Sequence, residues 1–437
     1  MDMKRLRQTV ASAVVANTVG LLLCIPAVQA IQVDYGFGAG AEYSDNIALE
    51  QDNERDDFGL SVFAGFSLVH TAAKLDADLR GGIEYTDYMN DVFADETLGS
   101  LRADVEWRPI PNVLHWHVED YFTQTRRNIL EPETPGNRVN ANAFATGPDL
   151  FARIGPATTL ESQLRRAEYY FEDSAADSSR NILSLGWVRA LRPNLDASAN
   201  VSYEDAEFTE TDDLDFDRFD YFLRADSRRG RSSMLVDLGF SQIDRESAKD
   251  VDGFLGRLLL TRQVGVTTVL NLEVSSQYTD SGTDLLMAGP MPFTLDRTNE
   301  QISTDLFNDR RIEARYRSGT ADHNWGAFVQ LRDEDYETLL LDRESQALRL
   351  DFHRNLTASL YLNGYLLLRR DKYTDAPQRT DKDATYSLGL ERRLSRAVTA
   401  RLDYAYNTRD SSMTGFDYDE NRVLFLIYYG TNPGTFR

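Results

Sequence analysis

Lys74-Leu75-Asp76-Ala77-Asp78-Leu79-Arg80-Gly81-Gly82-Ile83-Glu84-Tyr85 is a run of strict alternation. Leu75, Ala77, Leu79, Ile83 and Tyr85 share one side; Lys74, Asp76, Asp78, Arg80 and Glu84 share the other. A helix carries its apolar residues three and four apart, so a sustained period of two excludes it and specifies an extended strand with one oily face and one charged face. The pattern recurs. Leu101, Ala103, Val105 and Trp107 oppose Arg102, Asp104, Glu106 and Arg108, and Val398, Ala400, Leu402 and Tyr404 oppose Thr399, Arg401 and Asp403. Charge in the middle of strand after strand suits a closed sheet whose outside meets lipid and whose inside stays wet.

Working outward along the chain, the alternation predicts about twenty strands (18–20), among them 57–71, 141–154, 303–317 and 420–430. Very short turns, as at Ile110-Pro111 and Arg229-Gly230, alternate with longer polar stretches, as at 126–140 and 280–302. An even strand count with short turns at one end and long loops at the other is the plan of an up-and-down transmembrane β-barrel. The expected fold class is therefore all-β, an antiparallel barrel over 31–437.

Residues 1–30 follow a different rule. Lys4, Arg5 and Arg7 precede an apolar run from Val10 to Val28, and Val28-Gln29-Ala30 supplies the small residues of a cleavage site. This predicts a secretory signal peptide at 1–30, with Cys24 an ordinary member of its apolar segment. The chain carries that single Cys, so no disulfide scaffold can form within it. Lys+Arg 47 against Asp+Glu 70 gives −23, and with no basic stripe to neutralise phosphates nucleic acid is excluded as a partner. After residue 30 no apolar run is long enough for a transmembrane helix.

In this register the candidate lumen-lining residues are Arg80, Arg102, Arg224, Arg257, Arg315, Arg332, Arg349, Arg369 and Arg401, with Tyr121, Tyr361 and Tyr365; Tyr169 faces the same way. Asp76, Asp104, Asp220, Glu273, Glu313, Glu391 and Asp403 share that face. One reading is cross-strand ion pairing that stiffens a wet wall. The sharper one is an arginine ladder for anionic solutes or polymers, because the planar guanidinium binds carboxylate or phosphate in two places. The acidic loops, Glu50 to Asp57, Asp91 to Glu96 and Asp205 to Asp217, read as solvated tips. His115 and His117 stand at i, i+2 spacing with Glu119, a spacing that can clamp a metal, but no metal site, cofactor or catalytic residue is assigned on it. There is no Gly-x-Ser-x-Gly elbow and no phosphate-cradling P-loop, so no enzyme is expected.

Ala41-Glu42-Tyr43-Ser44-Asp45-Asn46-Ile47, an aromatic followed by Asp-Asn at the lip of the first strand, resembles the outer-membrane β-barrel porin family associated with exopolysaccharide and exosortase loci. Asp305-Leu306-Phe307 through Arg315-Tyr316 is similar to a late-strand pattern of that family. The resemblance implies an outer-membrane channel of a Gram-negative bacterium that assists export of an exopolysaccharide, with polysaccharide and periplasmic export components as partners. A general diffusion porin or uptake channel for small solutes is the alternative. Outer-membrane lipid and the barrel-assembly machinery are expected partners of either. The chain ends Thr435-Phe436-Arg437, with its aromatic residue one short of the end position that the assembly machinery reads.

Overall fold

A computed structural model describes residues 31–210, 212–287, 303–320, 322–375 and 378–431. The expected signal peptide and the final Phe436-Arg437 lie outside the described residues. The strands are β1 (Gln32–Ser44), β2 (Asp57–Thr71), β3 (Leu75–Tyr88), β4 (Glu96–Ile110), β5 (Leu114–Arg126), β6 (Arg138–Gly155), β7 (Thr158–Phe171), β8 (Ser178–Arg192), β9 (Leu195–Phe208) and β10 (Phe216–Arg229). They continue as β11 (Ser232–Arg245), β12 (Val251–Gln263), β13 (Thr268–Thr279), β14 (Phe307–Gly319), β15 (His323–Tyr336), β16 (Arg343–Asn355), β17 (Leu360–Tyr373), β18 (Arg379–Arg393), β19 (Val398–Ser411) and β20 (Tyr418–Gly430). Each pairs antiparallel with its neighbour in sequence, and β1 closes on β20 through a register that runs from Gly36 opposite Gly430 to Ser44 opposite Arg422. Closure leaves no sheet edge, which is what a sheet needs in lipid.

The register sorts the side chains as the alternation predicts. Phe37, Val62, Ile83, Leu223, Leu238, Phe254, Leu388 and Phe425 are exposed on the outside. Tyr316 against Trp325 (ring centroids 4.8 Å apart) and Phe37 against Tyr429 (5.3 Å) contribute aromatic rings to the same outer surface. The predicted strand 303–317 is displaced: Phe307–Gly319 is the observed strand, because Ser303 and Asp305 turn inward into buried hydrogen bonds before the ladder begins.

Both ends of the barrel have local causes. At the short-turn end, β10 and β11 are joined by Gly230 and Arg231 alone, and Gly230 takes φ +59°, the left-handed backbone that a two-residue hairpin demands. At the long-loop end, a loop aspartate repeatedly accepts the backbone N–H of the strand just finished. Asp177 does so for Phe171, Asp215 for Phe208, Asp342 for Tyr336 and Asp417 for Ser411, all at 2.6–2.7 Å. Asp57 accepts from the N–H groups of Phe58, Asn90 and Val92. Part of the acidity read as solvated tips is thus a set of hairpin clasps.

Candidate functional site: a lumen crossed by two segments

Two of the long connections turn into the barrel. The first, 127–137, joins β5 to β6. Ile129 is buried, and its carbonyl accepts a hydrogen bond from the Tyr373 hydroxyl of β17 (3.3 Å), while Leu130 O accepts from Arg379 of β18 (2.8 Å). Those strands are roughly half-way round the barrel from β5, so the segment spans the outer mouth. Inside it, Asn137 holds the turn together by donating to Asn128 O and Pro132 O.

The second begins after β13. Asp280 caps helix α1 (Ser281–Met287): its carboxylate accepts the N–H of Gly282 at 2.9 Å and of Thr283 at 3.2 Å. The same carboxylate meets Arg180 of β8 through two hydrogen bonds of 2.8 and 2.6 Å. Arg180 lies over the Tyr169 ring (4.6 Å) and is almost fully buried. Burial by itself pushes the Asp280 carboxyl upward, but the Arg180 charge and its hydrogen bonds, with those from Thr283, outweigh it and hold the group below the usual carboxylate range. From the other side of the helix Asp284 reaches Arg311 of β14 (3.0 Å) and Arg332 of β15 (2.6 Å). Leu285 packs on Ala141, Ala143, Ala145 and Ala167, a floor of small side chains on β6 and β7. The helix therefore bridges the β6–β8 wall to the β14–β15 wall. Whether loop 280–302 enters the lumen was open from sequence; its first turns do, and 288–302 lie outside the described residues.

Beneath the first segment a cavity of about 280 Å³ opens against β1–β4 and β17–β20. Arg126, Glu133 and Arg138 roof it; Tyr365, Arg369, Arg401 and Leu426 are among its wall residues.

The candidate arginines all stand on the lumen face of the register, but most are engaged by carboxylates. Arg224 grips Asp237 across the strand pair at 2.7 and 2.9 Å. Arg80 pairs with Asp78, Arg257 with Glu273, Arg315 with Glu313, Arg369 with Asp371 and Asp383, and Arg401 with Asp403. Arg332 is held by Asp284, Asp309 and Glu334. Arg349 lies over the Tyr365 ring (4.6 Å), and Tyr361 donates its hydroxyl to Ala358 O. Arg102 sits in one row between Arg80 and Tyr121. Tyr121 belongs to the small-residue floor of helix α1. Tyr361 and Tyr365 share β17, and Tyr365 with Arg369 and Arg401 meets at the cavity; Arg224 and Arg257 stand on the far arc. With carboxylates held against most of these arginines, the wall is one of ion pairs more than a ladder of free cations.

Arg180, Asp280, Asp284, Arg126 and Ile129 were missed by sequence reasoning. The one signal that could have found the helix is Asp280-Ser281-Gly282-Thr283-Asp284, an N-cap with acid in the first turn, inside a stretch taken for loop.

The structure thus shows a closed wall with an apolar exterior and a charged interior. The chain is a closed antiparallel β-barrel of twenty strands. Residues 344–427, from β16 to β20, match the family described as "Putative beta-barrel porin 2". A search of curated proteins finds no match. Among solved structures, this chain is similar to a loop L8 deletion mutant of OmpT, an outer membrane protein of Vibrio cholerae (12% identity, 92% of this chain and 100% of that one, TM-score 0.36). It is also similar to Pseudomonas aeruginosa OccK2 in complex with glucuronate (11%, 92% and 98%, 0.39). The FrpB iron transporter from Neisseria meningitidis is a third (8%, 91% and 81%, 0.45).

Proposed function

We propose that this barrel is a selective, non-catalytic channel for small polar solutes across the outer membrane of a Gram-negative bacterium. The observation that carries the proposal is the pair of segments tied across the outer mouth, 127–137 to β17 and β18 and helix α1 to Arg180, Arg311 and Arg332. They narrow the lumen where a solute enters and lead to a cavity with guanidinium, carboxylate and phenol groups on its wall. Such a wall exchanges hydrogen bonds with a polar solute as it sheds water, and balanced charge keeps either sign of ion from being trapped. Export of a polymer, which the resemblance implies, asks for a continuous open bore. Tyr88, Tyr365, Tyr418 and Tyr428 on the cavity wall, able to stack on sugar rings, are what favours it as a second reading.

The test is ion conductance in planar bilayers with liposome swelling by sugars of increasing size. Small sugars are expected to enter and oligosaccharides to be excluded, and replacing Ile129-Leu130-Glu131 by a Gly-Ser linker is expected to raise single-channel current. A barrel that conducts nothing in either form sinks the channel, and passage of long polysaccharide through the unaltered protein transfers the case to export.

A further inference from the structure

The wall near the short-turn end carries a second cluster that the channel does not use. We propose that Glu106, His115 and His117, with Asp149 beside His117, form a binding site for a divalent transition metal, zinc(II) by ligand type. They lie on three adjacent strands, β4, β5 and β6, with Glu106 opposite His117 and His115 opposite Asp149 in the ladder, and all four face the lumen. Glu119, the partner the sequence suggests, sits further along β5, opposite Asp104; the strand pairing supplies Glu106 in its place.

The atoms converge. His115 Nδ1 is 2.7 Å from Glu106 Oε1, His117 Nε2 is 3.8 Å from that same oxygen, and His117 Nε2 is 3.0 Å from Asp149 Oδ2. An ion held tetrahedrally at ~2.0–2.1 Å by nitrogen and oxygen sets its ligands about 3.3 Å apart, which is the middle of this range. Two imidazoles with a carboxylate, leaving a fourth position to water, is a set that suits zinc, nickel or copper and disfavours magnesium and calcium. The outer oxygens are already occupied. Arg108 donates to Glu106 Oε2, and Arg165 pairs with Asp149 Oδ1 at 2.6 Å. Each carboxylate is thereby oriented with its other oxygen toward the histidines, the arrangement by which outer partners fix metal ligands. The competing account is a histidine–carboxylate network of purely structural use, which would need no common point among Glu106, His115 and His117.

The experiment uses the untagged, refolded protein in detergent, stripped with chelator and titrated with zinc chloride by calorimetry and with cobalt chloride by visible absorption. One ion per chain and the intense visible bands of tetrahedral cobalt are expected. His115→Ala and His117→Ala are each expected to weaken zinc by at least about tenfold. His353→Ala, a lumen histidine engaged by Asn363 and Asn355, is expected to bind as the parent does. Glu106→Gln keeps the side-chain volume and provides a readout should an alanine variant not fold, with folding followed by heat-modifiable migration on gels. Absence of stoichiometric uptake, or uptake unchanged when His115 and His117 are both replaced, overturns the proposal.

Discussion

Arg180 shows what one residue decides here. It is buried against the face of the Tyr169 ring, meets Asp280 in two hydrogen bonds and pairs with Glu204 at 2.9 Å, so the first turn of helix α1 hangs on it. Removing one member of a buried pair leaves the other charge without its partner in low dielectric, at a cost of about 3–5 kcal/mol. Asp280→Ala is therefore expected to release helix α1 rather than unfold the barrel, seen as larger and noisier single-channel current at unchanged β-sheet circular dichroism. The same pair sets a pH window. The Asp280 carboxyl is held below its ordinary value in the folded protein, so the anchoring it provides is fully present above the ordinary carboxylate pKa and is lost as pH falls through the depressed one. Current noise is expected to stay low through mild acidification and to rise only below about pH 3.8, the reference value for a free Asp; a rise already at neutral pH would exclude Asp280 as the anchor.

At the scale of the element, β6 is the informative strand. Its lumen side reads Ala141, Ala143 and Ala145, all but fully buried, with Tyr121 and Tyr169 flanking Ala143 and Ala167 beside Ala145. Small residues make room, and Leu285 with helix α1 fills it. Ala143→Phe is expected to overpack this floor by about 1–3 kcal/mol and push the helix off the wall. Faster proteolysis near residue 285 in an otherwise intact barrel would report it; unchanged cleavage would mean that the floor does not seat the helix. The alternation of Ala with Asn140, Asn142 and Thr146 was visible in sequence as a strand. Its meaning as a docking floor was not, because nothing in β6 says which of ten loops would descend onto it.

For the whole molecule, the claim that one face meets lipid and the other water can be tested residue by residue, since the only cysteine lies in the expected leader. Leu223 points outward and is 66% exposed, while its neighbour Arg224 points inward onto Asp237. In reconstituted protein, Leu223→Cys is expected to react with an apolar maleimide and resist a charged one, and Arg224→Cys to do the reverse. Equal labelling of both by the charged reagent would contradict a membrane-spanning barrel.

The alternation of oily and charged residues determined the strands and their two faces, and the strand count, the expected leader and the turn asymmetry added the closed sheet. Period two is a local property, and each strand states its two faces without reference to any other. Only the tertiary structure decided how full the lumen is and where charges meet. Arg180 and Asp280 stand 100 positions apart, and Glu106 reaches His115 only through the β4–β5 register. Such encounters follow from the curvature that brings opposite walls within reach of a loop, and no periodicity along a single chain encodes that distance.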